Sequence, residues 1–202
     1  MVFLRDGRME RTERRLQKIK RVLGGRQPDV AVVLENIHDP HNVSAVFRTC
    51  DAVGVMRVEL VYSVEQFPRI GKKSSSSANK WVAQRRHRSV EDCYATLREE
   101  GFSIWATRLG SGSVPLFGLD LTKAVALVFG NEHRGVSDQA AKLADGTFEI
   151  PMRGMIQSLN VSVACAVSLY ELLRQRLASG TCGKPKLSAR EFDALYERWK
   201  TR

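Results

Sequence analysis

Apolar residues along this chain fall into short dense runs, separated by longer stretches whose apolar positions repeat every three to four residues. Val30–Leu34 (Val-Ala-Val-Val-Leu) is a continuous apolar run rich in valine, the pattern of a strand buried on both faces. Arg57–Tyr62, Phe102–Thr107, Ala124–Phe129 and Thr147–Ile150 read as further strands. Between them the repeat is helical. Residues 9–23 carry Met9, Leu16, Ile19, Val22 and Leu23 as one stripe of a basic helix ended by Gly24-Gly25. Val43–Val53 is a helix that Asn42 can cap and Gly54 ends, with Val43, Val46, Phe47, Cys50 and Val53 facing the core. Val90–Glu100 stops at Gly101, a short helix lies near Ser137–Ala144, and Val161–Leu177 follows two N-cap candidates, Ser158 and Asn160. Ser188 and Glu191 have capping-box spacing for a last helix striped by Phe192, Leu195, Tyr196 and Trp199. Strands alternating with helices predict an α/β fold with a mostly parallel sheet flanked by helices. Ligands of such sheets sit beyond the carboxyl ends of the strands, where Thr107, Gly130 and Ile150 fall.

Charge adds a partner class. The net charge is +10 over 202 residues. Residues 1–28 hold nine Lys or Arg against three carboxylates, and residues 184–202 hold six against three, so the body between is close to neutral. Residues 67–89 carry Arg69, Lys72, Lys73, Lys80, Arg85, Arg86 and Arg88 with no carboxylate. Three basic patches on a near-neutral body suit a polyanion. Arg8, Arg11 and Arg15 of the first helix, and Lys72, Lys73 and Lys80 of the serine-rich segment, are the candidate RNA contacts, with Trp81 available to stack on a base. A solvated surface helix and a flexible linker are the plainer readings of the same two segments. The chain divides as a basic extension (1–28), a central domain (29–180) and a second basic extension (181–202).

Several chemistries find no support. Cys50, Cys93, Cys165 and Cys182 are too far apart for a CxxC pair and read as reduced thiols of a cytoplasmic protein. No leader-like apolar segment or membrane-length run is present, and no membrane partner is expected. His38 and His41 flank Pro40 without further metal ligands. Neither a dinucleotide fingerprint nor a phosphate loop occurs.

Three segments do carry a specific signal. They are Asn42-Val-Ser-Ala-Val-Phe-Arg48 through Gly54, Phe129-Gly-Asn-Glu132-His-Arg-Gly135, and Ile150-Pro-Met-Arg-Gly154 through Ser158-Leu-Asn160-Val-Ser162. In this order they resemble the three motifs of the SpoU branch of the SPOUT methyltransferases, over roughly residues 30–178. The resemblance implies methyl transfer from S-adenosylmethionine to a ribose 2′-hydroxyl of RNA, a C-terminal deep trefoil knot, and a homodimer. It implies Arg48 as the essential arginine, with Asn42, Ser158, Asn160 and Glu132 as polar companions. It implies cofactor binding largely by backbone groups at Thr107, Gly130, Ile150 and Leu159. Arg48 is either the base or, more in keeping with a guanidinium that holds its proton, a bidentate phosphate clamp. The short chain with basic ends resembles the members that methylate guanosine 18 of tRNA; ribosomal RNA and the anticodon wobble nucleotide are the alternative targets, and a non-catalytic RNA-binding module is the rival of another class. DNA is not an expected partner.

Overall fold

The computed structural model describes residues 12–67, 78–182 and 185–202. Its centre is β1 (Gln27–Glu35), and Val30–Leu34 within it have no exposed surface. The remaining strands are β2 (Val55–Val61), β3 (Ala83–His87), β4 (Ser103–Thr107), β5 (Val114–Pro115), β6 (Val125–Phe129) and β7 (Gly146–Glu149). All pair in parallel, in the order β3-β2-β1-β6-β4-β7-β5. Because side chains alternate across a strand, β1 feeds two cores. Val30, Val32 and Leu34 pack on one side with α2 (Pro40–Val53) and α5 (Val161–Ala178). Ala31 and Val33 pack on the other with α3 (Val90–Glu99) and α4 (Asp138–Leu143). β6 repeats the division, with Val125, Leu127 and Phe129 facing one core and Ala126 and Val128 the other.

A third, smaller cluster joins the chain ends. Ile19 and Leu23 of α1 (Glu13–Gly24) pack with Trp199 of α6 (Ala189–Lys200). Trp81 closes the cluster, its ring 4.9 Å from that of Trp199 in an edge-on contact. Trp81 is half-buried here and helps to hold the terminal helices. A buried clamp fastens the same region to α5. The fully buried Arg176 donates to Asp29 Oδ1 at 2.8 Å, Gln27 Oε1 at 3.1 Å and the Leu121 and Lys123 carbonyls, and Lys186 reaches Asp29 Oδ2 at 2.6 Å.

Three local expectations change. The helix cap before α2 is Asp39, whose Oδ1 accepts the His41 N–H at 2.8 Å, and Pro40 takes the first helical turn, where its missing N–H costs nothing. Asn42 therefore lies inside the first turn, free for other bonds. Ser158 is not a cap; Asn160 alone caps α5. The basic stretch 67–89, in which no strand was expected, contains β3, an edge strand whose inward residues are Arg85 and His87. His87 Nε2 meets the buried Glu59 carboxylate at 2.8 Å, and Arg85 bonds Glu100 at 3.0 Å. Charge on an edge strand discourages pairing with another chain, which makes it look unlike a strand in sequence.

Candidate active site

The strand order reverses direction between β1 and β6, and the loops that leave their carboxyl ends diverge there, as ligand crevices of open parallel sheets require. Two asparagines at those ends fix the loops. Asn36, at φ 50°, accepts the N–H groups of Ser63, Val64 and Glu65 on its side-chain oxygen at 3.0–3.2 Å. Asn131, 5 % exposed, donates to the Asn36 carbonyl at 2.7 Å and accepts from the His133 and Arg134 N–H groups. Neither was singled out from sequence; the available signal was a polar residue placed just beyond a buried strand. Gly130 is a steric necessity. A Cβ there would lie 2.2 Å from the backbone of Gly135 and Val136, which is where the loop folds back on itself.

On this frame the Glu132 carboxylate gathers three donors. It accepts the backbone N–H of His38 at 2.8 Å and of Asp39 at 3.1 Å, and the Asn42 side-chain amide at 2.7 Å. Partial burial opposes its ionisation, but the bonds from Asn42, His38 and Asp39 outweigh that and hold its carboxyl below the usual range. Asn42 in turn accepts from Asn160 Nδ2 at 3.1 Å, while Asn160 Oδ1 caps α5 through Ser162 N–H at 2.9 Å. One hydrogen-bonded chain thus runs Asn160–Asn42–Glu132 and ties α5, α2 and the β6 loop together. Nearby, burial pushes the Tyr62 phenol well up, reinforced by Glu132 and Glu65, so it stays a donor to the Ile37 carbonyl.

The loop after β7 contributes something different. Among the described residues, Pro151–Leu159 makes no hydrogen bond at all, so its N–H and C=O groups are free. Ile150 at its start packs on the core, and Leu159 at its end is half-buried. Free backbone donors and acceptors beside apolar side chains are the donor set an adenine ring needs, and they fit an adenosyl cofactor. A sequence model of the SpoU rRNA Methylase family matches residues 29–170, which takes in the sheet from within β1 onward, both asparagines and this loop.

The chain belongs to the SpoU methylase family.

The tRNA (guanosine(18)-2′-O)-methyltransferase of Thermus thermophilus is 45% identical over 190 residues, covering 94% of this chain and 97% of that one. The crystal structure of the Aquifex aeolicus TrmH/SpoU tRNA modifying enzyme superposes with a TM-score of 0.87 at 38% identity, over 93% of this chain and 95% of that one. The SpoU methyltransferase AviRb of Streptomyces viridochromogenes, in complex with AdoMet, gives a TM-score of 0.68 at 26% identity, over 75% of this chain and 60% of that one.

In this SpoU domain the expected site residues divide into groups. Asn42, Glu132 and Asn160 meet directly. Arg48 does not join them: it lies six residues beyond Asn42, about 9 Å along the helix and a third of a turn around it. It is exposed and, among the described residues, its side chain has no hydrogen bond or ion pair. Ser158 is exposed on the free loop. Thr107 spends its hydroxyl on the Val128 carbonyl at 3.0 Å, leaving the strand end for any ligand contact. Thr107, Gly130 and Ile150 close three adjacent strands, β4, β6 and β7. Of the RNA candidates, Lys80 is exposed, and Arg15 is half-buried with a bond to the Arg202 carbonyl at 2.9 Å. Arg8, Arg11, Lys72 and Lys73 lie outside the described residues. No cluster of metal ligands occurs among the described residues.

Proposed function

We propose that this chain transfers a methyl group from S-adenosylmethionine to the ribose 2′-hydroxyl of guanosine 18 in tRNA. The observation that carries the reading is the Asn160–Asn42–Glu132 chain, which unites all three SpoU motifs at the sheet's switch point. The tRNA target rests on the Thermus relative, matched over nearly its full length. S-adenosylmethionine, held by backbone groups of Thr107, Gly130, Ile150 and Leu159, supplies an electrophilic methyl on a sulfonium. The protein's part is placement: the hydroxyl must lie in line and lose its proton. Arg48, exposed and without a side-chain partner among the described residues, grips the phosphate of the target nucleotide through its planar fork and so sets the ribose. Asn42, Glu132 and Asn160 hold the loops that form the ribose pocket, and Ser158 supplies a hydroxyl on its open side.

The basic termini then bind tRNA phosphates, with Arg8, Arg11, Arg15, Lys72, Lys73 and Lys80 as contacts. Residues 1–28 and 181–202 act together as one RNA-binding extension of the catalytic domain at 29–180; the contact of α1 with α6 supports that grouping. A homodimer completes the site. Val163, Tyr170 and Leu177, spaced by seven on α5, are 46 %, 55 % and 61 % exposed, an apolar face that a second copy would cover. The insertion of β6 between β1 and β4, and of β7 between β4 and β5, supports a knotted C-terminal crossing. Four free thiols support a reducing, cytoplasmic setting.

The decisive experiment incubates the protein with methyl-labelled S-adenosylmethionine and total RNA, then maps the product. Label on guanosine 18 of tRNA is expected. Label on ribosomal RNA or the wobble nucleotide overturns the target, and no label overturns the activity.

A further inference from the structure

The loops that Glu132 joins present two imidazoles that the fold does not use. The His38 and His133 rings lie 6.1 Å apart at 61°, edge to face. Both residues are exposed, yet both backbones are rigidly mounted. The His38 N–H is held by Glu132 and the His133 N–H by Asn131. Among the described residues the His133 ring nitrogens have no partner, and His38 Nδ1 has only Glu65, at 3.7 Å. Along the hydrogen-bonded chain the pair stands at the Glu132 end, with Asn160 and the free 151–159 loop at the other. A nucleotide resting on it would neighbour the reacting one.

Charge decides what such a nucleotide would find there. Glu65 is tied to Arg134 at 2.7 Å, Asp39 caps α2, and Glu132 holds its three donors. Among the described residues bonded around the pair, three carboxylates stand against Arg134, so these partners offer no net positive charge to a phosphate. What the pair offers is ring surface. We propose that His38 and His133 form the stacking contact for the base of a nucleotide flanking the methylated ribose. This rests on the RNA-methyltransferase reading above.

The test uses the full chain, a tRNA substrate and the variants His38→Ala, His133→Ala and His133→Phe. Each alanine variant should lower kcat/KM for tRNA roughly tenfold, through KM, since one base–aromatic stack is at stake. His133→Phe should return it to within about twofold of the native value, because a stack needs a ring and not an imidazole nitrogen. S-adenosylmethionine affinity by calorimetry and the salt dependence of tRNA binding should both stay as they are. Native-like alanine variants, or a phenylalanine variant as poor as alanine, overturn the contact. So does a salt slope reduced by about one in an alanine variant, which marks a phosphate contact. A native enzyme that leaves tRNA unmethylated overturns the parent reading as well, and is distinguishable because it needs no variant.

Discussion

Replacing Glu132 by alanine removes the one acceptor shared by the β1–α2 loop and the side chain of Asn42. Three donors lose their partner: the His38 and Asp39 N–H groups and the Asn42 amide. Hydrogen bonds to an ionised group contribute about 1.5–3 kcal/mol each, but the site is only partly buried and water can re-solvate the two backbone donors. A net loss of about 2 kcal/mol is therefore expected, which for a chain of this size lowers the melting temperature by roughly 4–8 °C. Glu132→Gln keeps one acceptor oxygen but sets an NH₂ against a donor, so it should fall between. The effect has a pH signature. The folded carboxyl titrates below its unfolded value, so its stabilisation is complete above about pH 4.3 and drains away as pH falls through the folded value. The gap in melting temperature between the native chain and Glu132→Ala should thus be constant near neutrality and close in acid. Scanning calorimetry at several pH values measures it. A variant that melts with the native protein at pH 7, or a gap that is independent of pH down to acid unfolding, refutes the argument.

Arg48→Ala should lower methylation by on the order of a hundred- to a thousandfold, the scale of losing a charged contact in the transition state, while calorimetry shows unchanged S-adenosylmethionine binding; retained turnover sinks the clamp. Gly130→Ala sets a Cβ 2.2 Å from the backbone of Gly135 and Val136, and a shift near 1 Å in the loop should cut activity by on the order of a hundredfold, read by single-turnover kinetics; native-like rates would mean the loop bears no part of the site. Arg176→Met strips four acceptors in the interior and leaves Asp29 to Lys186 alone. Breaking a buried pair in this way should cost about 3–5 kcal/mol in urea unfolding, and a smaller loss would show that water enters the clamp.

What the sequence revealed depended on whether a residue's partner was near in the chain. β1 and β6 were legible because both faces of each are buried, so their apolar runs are continuous. The capping box of α6 was legible because Ser188 and Glu191 are three residues apart. β3 was hidden because its inward positions are filled by Arg85 and His87, which become tolerable only opposite Glu59 and Glu100, far off in sequence. The packing of Trp81 was hidden for the same reason: its partner, Trp199, is in the last helix.

Asn42 shows why the site itself was legible only by resemblance. Two residues suited to capping stand at the start of α2, Asp39 and Asn42, and local chemistry cannot choose between them. The choice is made by Glu132, ninety residues away, which takes the Asn42 amide and leaves capping to Asp39. The same ambiguity at α5 resolves the other way. Asn160 caps with its oxygen and still donates its amide to Asn42, 118 residues back. Side-chain amides suit this double duty because they carry donor and acceptor on one rigid plane. A serine cap could hold the helix start, but its single hydroxyl could not keep the fixed two-point link between helices. The asparagines at these two helix starts are therefore constrained by each other and by Glu132 more than by the helices they begin, and changing either to serine should weaken the site before it weakens the fold.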